Sequence, residues 1–165
     1  MSLKRVIQIA LPVVIGAAVL VAFSLALTPQ NSAAFEMALR FADAAGKGDD
    51  QTATALLSPA LQEYVSTHCP DGSVSACISG YTPAEWGAFQ SVVFRRAGPD
   101  GEHWNVQLIA TYQYAEGFSG VCIFVRMEAL PHDAWQVAGW AGYVSCGDPT
   151  SRDMAINPDT PNRAP

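Results

Sequence analysis

Apolar residues fall along this chain in three successive patterns: a long uncharged run, then a helical period, then a strand alternation. The run from Val6 to Leu27 carries no charge, and as a helix it would be about 33 Å long, enough to cross a hydrocarbon core of about 30 Å. Lys4 and Arg5 precede it and no basic residue follows closely, so the positive-inside bias predicts a cytoplasmic N-terminus with the rest of the chain exported. A cleaved secretory signal is the alternative, because Ser24-Leu25-Ala26 is a small-x-Ala site, and it would release a secreted domain. No cysteine occurs before Cys69, which excludes a lipidated cysteine just after the run.

From Ser32 the spacing becomes helical. Asn31 or Ser32 can cap a helix through SAAFEMALRFADAAG, with Phe35, Ala38, Leu39, Ala42 and Ala45 on one face. Gly46 and Gly48 stop it, Asp49 or Asp50 can start a short helix QTATALL, and Ser58-Pro59 can cap and open PALQEYVSTH. Thr82, Pro83 and Glu85 have the spacing of a further helix start. Beyond residue 90 the period changes to two, with strands expected over 91–97, 103–115, 121–130 and 135–146, separated by GPDGE, EGFSG and PHDA. Val121, Ile123, Val125 and Met127 share one strand face, and Cys122, Phe124, Arg126 and Glu128 share the other.

Helices followed by an antiparallel meander predict an α+β fold: an N-terminal transmembrane helix, then helices packed on a curved four-stranded sheet. Three regions result, a cytoplasmic and membrane part over 1–30, an extracytoplasmic α+β domain over 31–147, and a Pro-rich irregular tail over 148–165.

Cysteine usage sharpens this picture. Cys69, Cys77, Cys122 and Cys146 all lie in the exported part, where an even count favours disulfides. Cys69 and Cys77 bracket a loop rich in turn formers, which suggests a local bridge and leaves Cys122 with Cys146. Pairing Leu130 with Gln136 puts Cys122 opposite Val144, two residues short of Cys146, so a bulge at Gly139 or Gly142, or a longer hairpin loop, is expected. Metal binding by His68, Cys69 and Cys77 is disfavoured, because the spacing is not C-x-x-C and no second ligand pair is near.

Charge excludes some partners. Acidic residues outnumber Lys and Arg by 15 to 9, and setting Lys4 and Arg5 aside makes the remainder more acidic still. That balance argues against nucleic acid and against adhesion of the domain to anionic lipid.

The order of elements, with Gly48-Asp49 between the first two helices and Leu56-Leu57-Ser58-Pro59 after them, resembles the nuclear transport factor two-like superfamily of cone-shaped α+β domains. The resemblance covers 32–146 and rests on helix and turn signals. It implies a membrane-anchored accessory or assembly subunit of a larger complex, with other membrane subunits as partners. Enzymatic members place an acid, base or histidine inside the cone. Here Asp100, Glu102, Glu116 and Asp133 fall in expected turns, Arg126 and Glu128 read as a surface pair, and His68, His103 and His132 belong to no catalytic motif. No catalytic residue, cofactor or metal is therefore assigned. The aromatics of the sheet half, Trp104, Tyr112, Tyr114, Trp135, Trp140 and Tyr143, are read mainly as core and, in the sharper reading, as a docking face or pocket. A small-ligand or lipid-binding cone is the rival function, and an extracytoplasmic isomerase or hydrolase the third.

Overall fold

Helix α1, Ser32–Lys47, opens the part of the chain whose placement the computed structural model describes, residues 32–113 and 118–165. The expected membrane span over Val6–Leu27 and the signal-cleavage alternative lie outside those residues. Among the described residues no helix is long and apolar enough to cross a membrane.

Short helices follow, each with a local cause. α2 (Asp50–Ala55) is capped by Asp49, whose carboxylate accepts the Thr52 N–H at 3.0 Å. α3 (Pro59–His68) begins with proline and is capped by Ser58, whose hydroxyl accepts from Leu61 N at 3.3 Å. The segment between Cys69 and Cys77 was expected to be a loop, yet α4 (Val74–Ser79) starts within it and runs past Cys77, because Ser73 accepts from Ala76 N at 2.9 Å. Asp50 then ties α2 to α4: its carboxylate accepts the Ser73 hydroxyl at 2.6 Å and the Ser75 N–H at 2.8 Å. The helix expected to start at Thr82 shrinks to one 3₁₀ turn, Ala84–Trp86.

Four strands make one open antiparallel sheet in the order β1-β2-β3-β4: Ala88–Asp100, His103–Gln113, Phe118–Leu130 and Ala134–Ser145. β1 is longer than expected. Gly98, Pro99 and Asp100, read from sequence as a turn, pair with Asn105, Trp104 and His103. Proline is tolerated there because β1 is an edge strand.

The β3–β4 register resolves the cysteine problem. Leu130 lies opposite Ala134, so the hairpin loop is 131–133. Register shifts between Val137 and Gly139 and between Gly142 and Val144 then bring Val144 opposite Cys122. Cys146 lies past the last pair, where its N–H donates to Gly120 O, and it reaches back to Cys122. Both expected bridges form: Cys69–Cys77 with Cα atoms 4.9 Å apart, and Cys122–Cys146 at 5.0 Å. Such bonds fit an oxidising, non-cytoplasmic compartment.

The helices lie on one face of the sheet. Ala34, Ala38, Phe41, Ala42 and Ala45 of α1 share a buried core with Leu61, Val65 and Ile78 of the other helices and with Val106, Leu108, Val121, Ile123, Val125 and Met127 of the sheet. Phe41 was not part of the expected stripe, yet it is fully buried.

The opposite face has its own small core of Cys122, Phe124, Ala141 and Met154. Met154 belongs to the proline-rich segment, which has little regular structure but crosses this face and is hydrogen-bonded to it. Ala164 N donates to Trp140 O at 2.9 Å, and Asn162 Nδ2 donates to Gly142 O at 2.7 Å. Two glycines permit the approach. At Gly142 (φ +104°) a Cβ would strike Met154 Sδ and Cys122 O, and at Gly139 it would overlap the carbonyl of Pro165.

Candidate functional site

Three regions of the surface and interior carry the chemistry of this domain, and the inner aromatics come first. Trp140 is fully buried and Tyr143 and Tyr112 nearly so, because each points from the sheet into the helix-covered core. The Trp140 indole stacks on Phe41 and meets Tyr64 edge-on. A docking role for Trp140 and Tyr143 is therefore corrected: both rings are spent on packing. Trp104 and Trp135 are half-buried against the same core, and Tyr114 lies outside the described residues.

Burial sets the electrostatics of these phenols. Desolvation pushes Tyr112 up to about 12 and Tyr143 well above the ordinary tyrosine value, with Tyr112 and Tyr81 adding to the effect on Tyr143. Burial also raises Tyr81, partly offset by the nearby Trp140 indole and reinforced by Tyr64. The Tyr143 hydroxyl makes no hydrogen bond with the rest of the protein.

An open groove of about 410 Å³ lies beside this core, where Gly46, Ser75, Ser79, Thr82, Phe89 and Tyr112 meet. Lys47 also borders it, but its ammonium donates to Asp43 at 2.8 Å. The lining offers neutral hydroxyls and two aromatic rings. It suits a small neutral molecule better than an ion.

The two sheet edges differ. β4 is covered near one end by the residues before α3: Val137 N donates to Leu56 O and Ser58 N to Val137 O, both at 2.8 Å. Farther along, the Ala164–Trp140 bridge covers it again. β1 has no strand or loop described along its outer edge. Its middle, Val92-Val93-Phe94, places apolar side chains on both faces, with Val93 56% and Phe94 41% exposed. Phe94 stacks on Phe35 of α1 at a ring distance of 4.9 Å, and Phe35 meets Trp104 edge-on.

No protein-family model matches this chain, and neither a curated protein nor a solved structure does.

On the outer face Arg95 donates to Cys122 Sγ at 3.2 Å, and Arg96 Nε donates to Gln107 Oε1 at 2.8 Å. The expected Arg126–Glu128 surface pair is not made. Arg126 reaches across β2 to within 4.0 Å of Asp100, while Glu128 accepts from Gln136 Nε2 at 2.7 Å, its direct cross-strand neighbour on β4. Among the other expected turn carboxylates, Glu102 and Asp133 are exposed at hairpin ends, and Glu116 lies outside the described residues. His68 stacks on Tyr64 and its Nδ1 lies 2.7 Å from the Thr67 hydroxyl. Among the described residues no group of three or more His, Cys, Asp or Glu is placed to hold a metal.

The open β1 edge is the feature that the sequence reading missed. Its signal was present in the uninterrupted apolar triplet 92–94, which breaks the alternation of a strand with one wet face.

Proposed function

We propose that this chain is a non-enzymatic accessory subunit of a membrane assembly. Its cone-like α+β domain, of the nuclear transport factor two-like kind, works outside the cytoplasm, and the run Val6–Leu27 tethers it to the bilayer. Docking uses the β1 side of the sheet. The observation that carries this reading is the asymmetry of the edges: β4 is covered twice, while along β1 Val93 is mostly exposed and Phe94 is covered only in part, by Phe35. Exposed apolar edge strands aggregate unless blunted or paired, so an edge kept open in this way is suited to strand addition. The tether raises the effective concentration of the domain at the membrane, so that a modest edge contact suffices.

The test is gentle detergent extraction of native membranes and affinity purification of the full chain, with Val93→Lys in parallel. Stoichiometric recovery of further membrane subunits from the parent and their loss from V93K supports the reading. Equal recovery from both moves the docking surface away from β1.

A second reading, a small-ligand-binding domain, has the groove beside Tyr112 in its favour. Ser79→Trp would fill that groove, which β1 borders only through Phe89, while leaving Val93 and Phe94 untouched, so loss of function in this variant alone favours the ligand.

A further inference from the structure

We infer that the strand added to β1 is β1 of a second copy of this chain, an inference that rests on the docking reading above. The pattern of β1 is complementary to itself. Opposed residues in an antiparallel pair lie on the same face, so a two-fold pairing must be centred on a residue. Centred on Val93, it sets Val93 against Val93 on the outer face and Val92 against Phe94 on the helix-covered face. The six positions of the two apolar triplets then cover one another.

Charge agrees with that register. Arg95, the bulged residue at which the regular ladder ends, falls beside Ser91, so no arginine faces an arginine across the ladder, although Arg95-Arg96 is the only adjacent basic pair beyond Lys4-Arg5. The edge also limits its own length. The register shifts between Phe89 and Ser91 and between Phe94 and Arg96 bracket the segment 91–94, and Pro99 lacks an N–H to extend a ladder. Bulges and proline at both ends make a short, closed pairing rather than an open-ended one. The covered β4 edge denies the assembly a second growing side, so the product is a pair and not a fibre.

Two measurements decide this. Light scattering on the full chain in detergent, with the detergent mass subtracted, should give twice the chain mass for the parent and the single mass for Val93→Lys, with at least a tenfold loss of the paired fraction. Val93 is exposed, so V93K should keep the far-UV circular dichroism of the parent. For the register, Val93→Cys in membranes should form an intermolecular disulfide under mild oxidant. Directly opposed Cα atoms stand about 4.5–5.5 Å apart, within the reach of a disulfide of about 4.4–6.8 Å. Glu102→Cys, exposed but off the ladder, should not.

A monomeric parent overturns the self-pairing. If V93K still releases co-purified subunits, the docking reading stands without it; if V93K changes nothing, both fall. A dimer that survives V93K, or cross-links equally through E102C, also overturns the inference.

Discussion

The ring of Trp140 lies against that of Phe41, centroids 5.7 Å apart and planes inclined by 29°, joining the last strand of the sheet to the first described helix. Both are fully buried, Trp140 being the largest such side chain among the described residues, and they come from positions about a hundred residues apart in the chain. Truncating either leaves a cavity that small neighbours such as Ala38 and Ala42 cannot fill. Trp140→Ala should cost about 3–5 kcal/mol, read as a lowered urea midpoint for residues 32–165. A cost below about 1 kcal/mol would show that the helices do not depend on this contact.

The two disulfides should contribute unequally. Cys122–Cys146 spans 24 residues and Cys69–Cys77 only 8. On the chain-entropy account the longer loop contributes about 3.5 kcal/mol and the shorter about 2.5 kcal/mol. Replacing each pair by alanines and comparing urea unfolding checks the order, and the reverse order would point to the Asp50–Ser73 anchor being lost along with the longer bridge's rival.

Asp50 predicts an acid response. Partial burial raises its carboxyl, but the Ser73 hydroxyl and the Ser75 N–H outweigh this and hold it below the ordinary carboxylate range. A folded-state value below the unfolded one means that the stabilisation is present above the unfolded value, near 3.9 as an order-of-magnitude figure, and is lost as pH falls through the folded one. Asp50→Ala should therefore cost about 1–2 kcal/mol at neutral pH, with the gap to the parent closing in strong acid. A gap independent of pH would assign the loss to packing alone.

Tyr143 predicts the opposite limb. Its phenol is raised by burial, as is Tyr112 at about 12, so the stability they confer is full below the unfolded value of about 10 and is lost as pH rises through the folded ones. Phenolate absorbance should show these rings ionising only with alkaline unfolding. Tyr143→Phe removes a buried hydroxyl without a protein partner and should stabilise the fold by about 1 kcal/mol. A loss of stability would mean that the hydroxyl is bonded in solution.

Much of this architecture was legible in residues whose signals are local. Ser58-Pro59 marked the start of α3, alternation marked the strands, and the even cysteine count with its intervening turn formers gave both bridges. The misses arise where distant groups intervene. α4 starts inside a short bridged loop partly because Asp50 holds Ser73 and Ser75 from over twenty residues away, and β1 runs through Pro99 because β2 pairs with it. For Trp140 and Tyr143 the choice between core and docking face stayed open in the sequence because strand periodicity tells which side a ring faces, not what lies above it. The triplet 92–94 hints at a strand apolar on both faces, but that this strand lies at an edge follows from strand order, which the triplet alone does not encode.

The segment that crosses the outer face has a consequence for synthesis. A chain made and exported from its N-terminus can close the sheet, and join Cys122 to Cys146, before Met154 arrives to cover Phe124 and Ala141. During that interval the outer core is wet, and newly made molecules are at their most adhesive just when they are crowded at the point of export. Arrival of the last proline-rich residues is then the step that ends this exposure and releases a molecule safe to leave its neighbours.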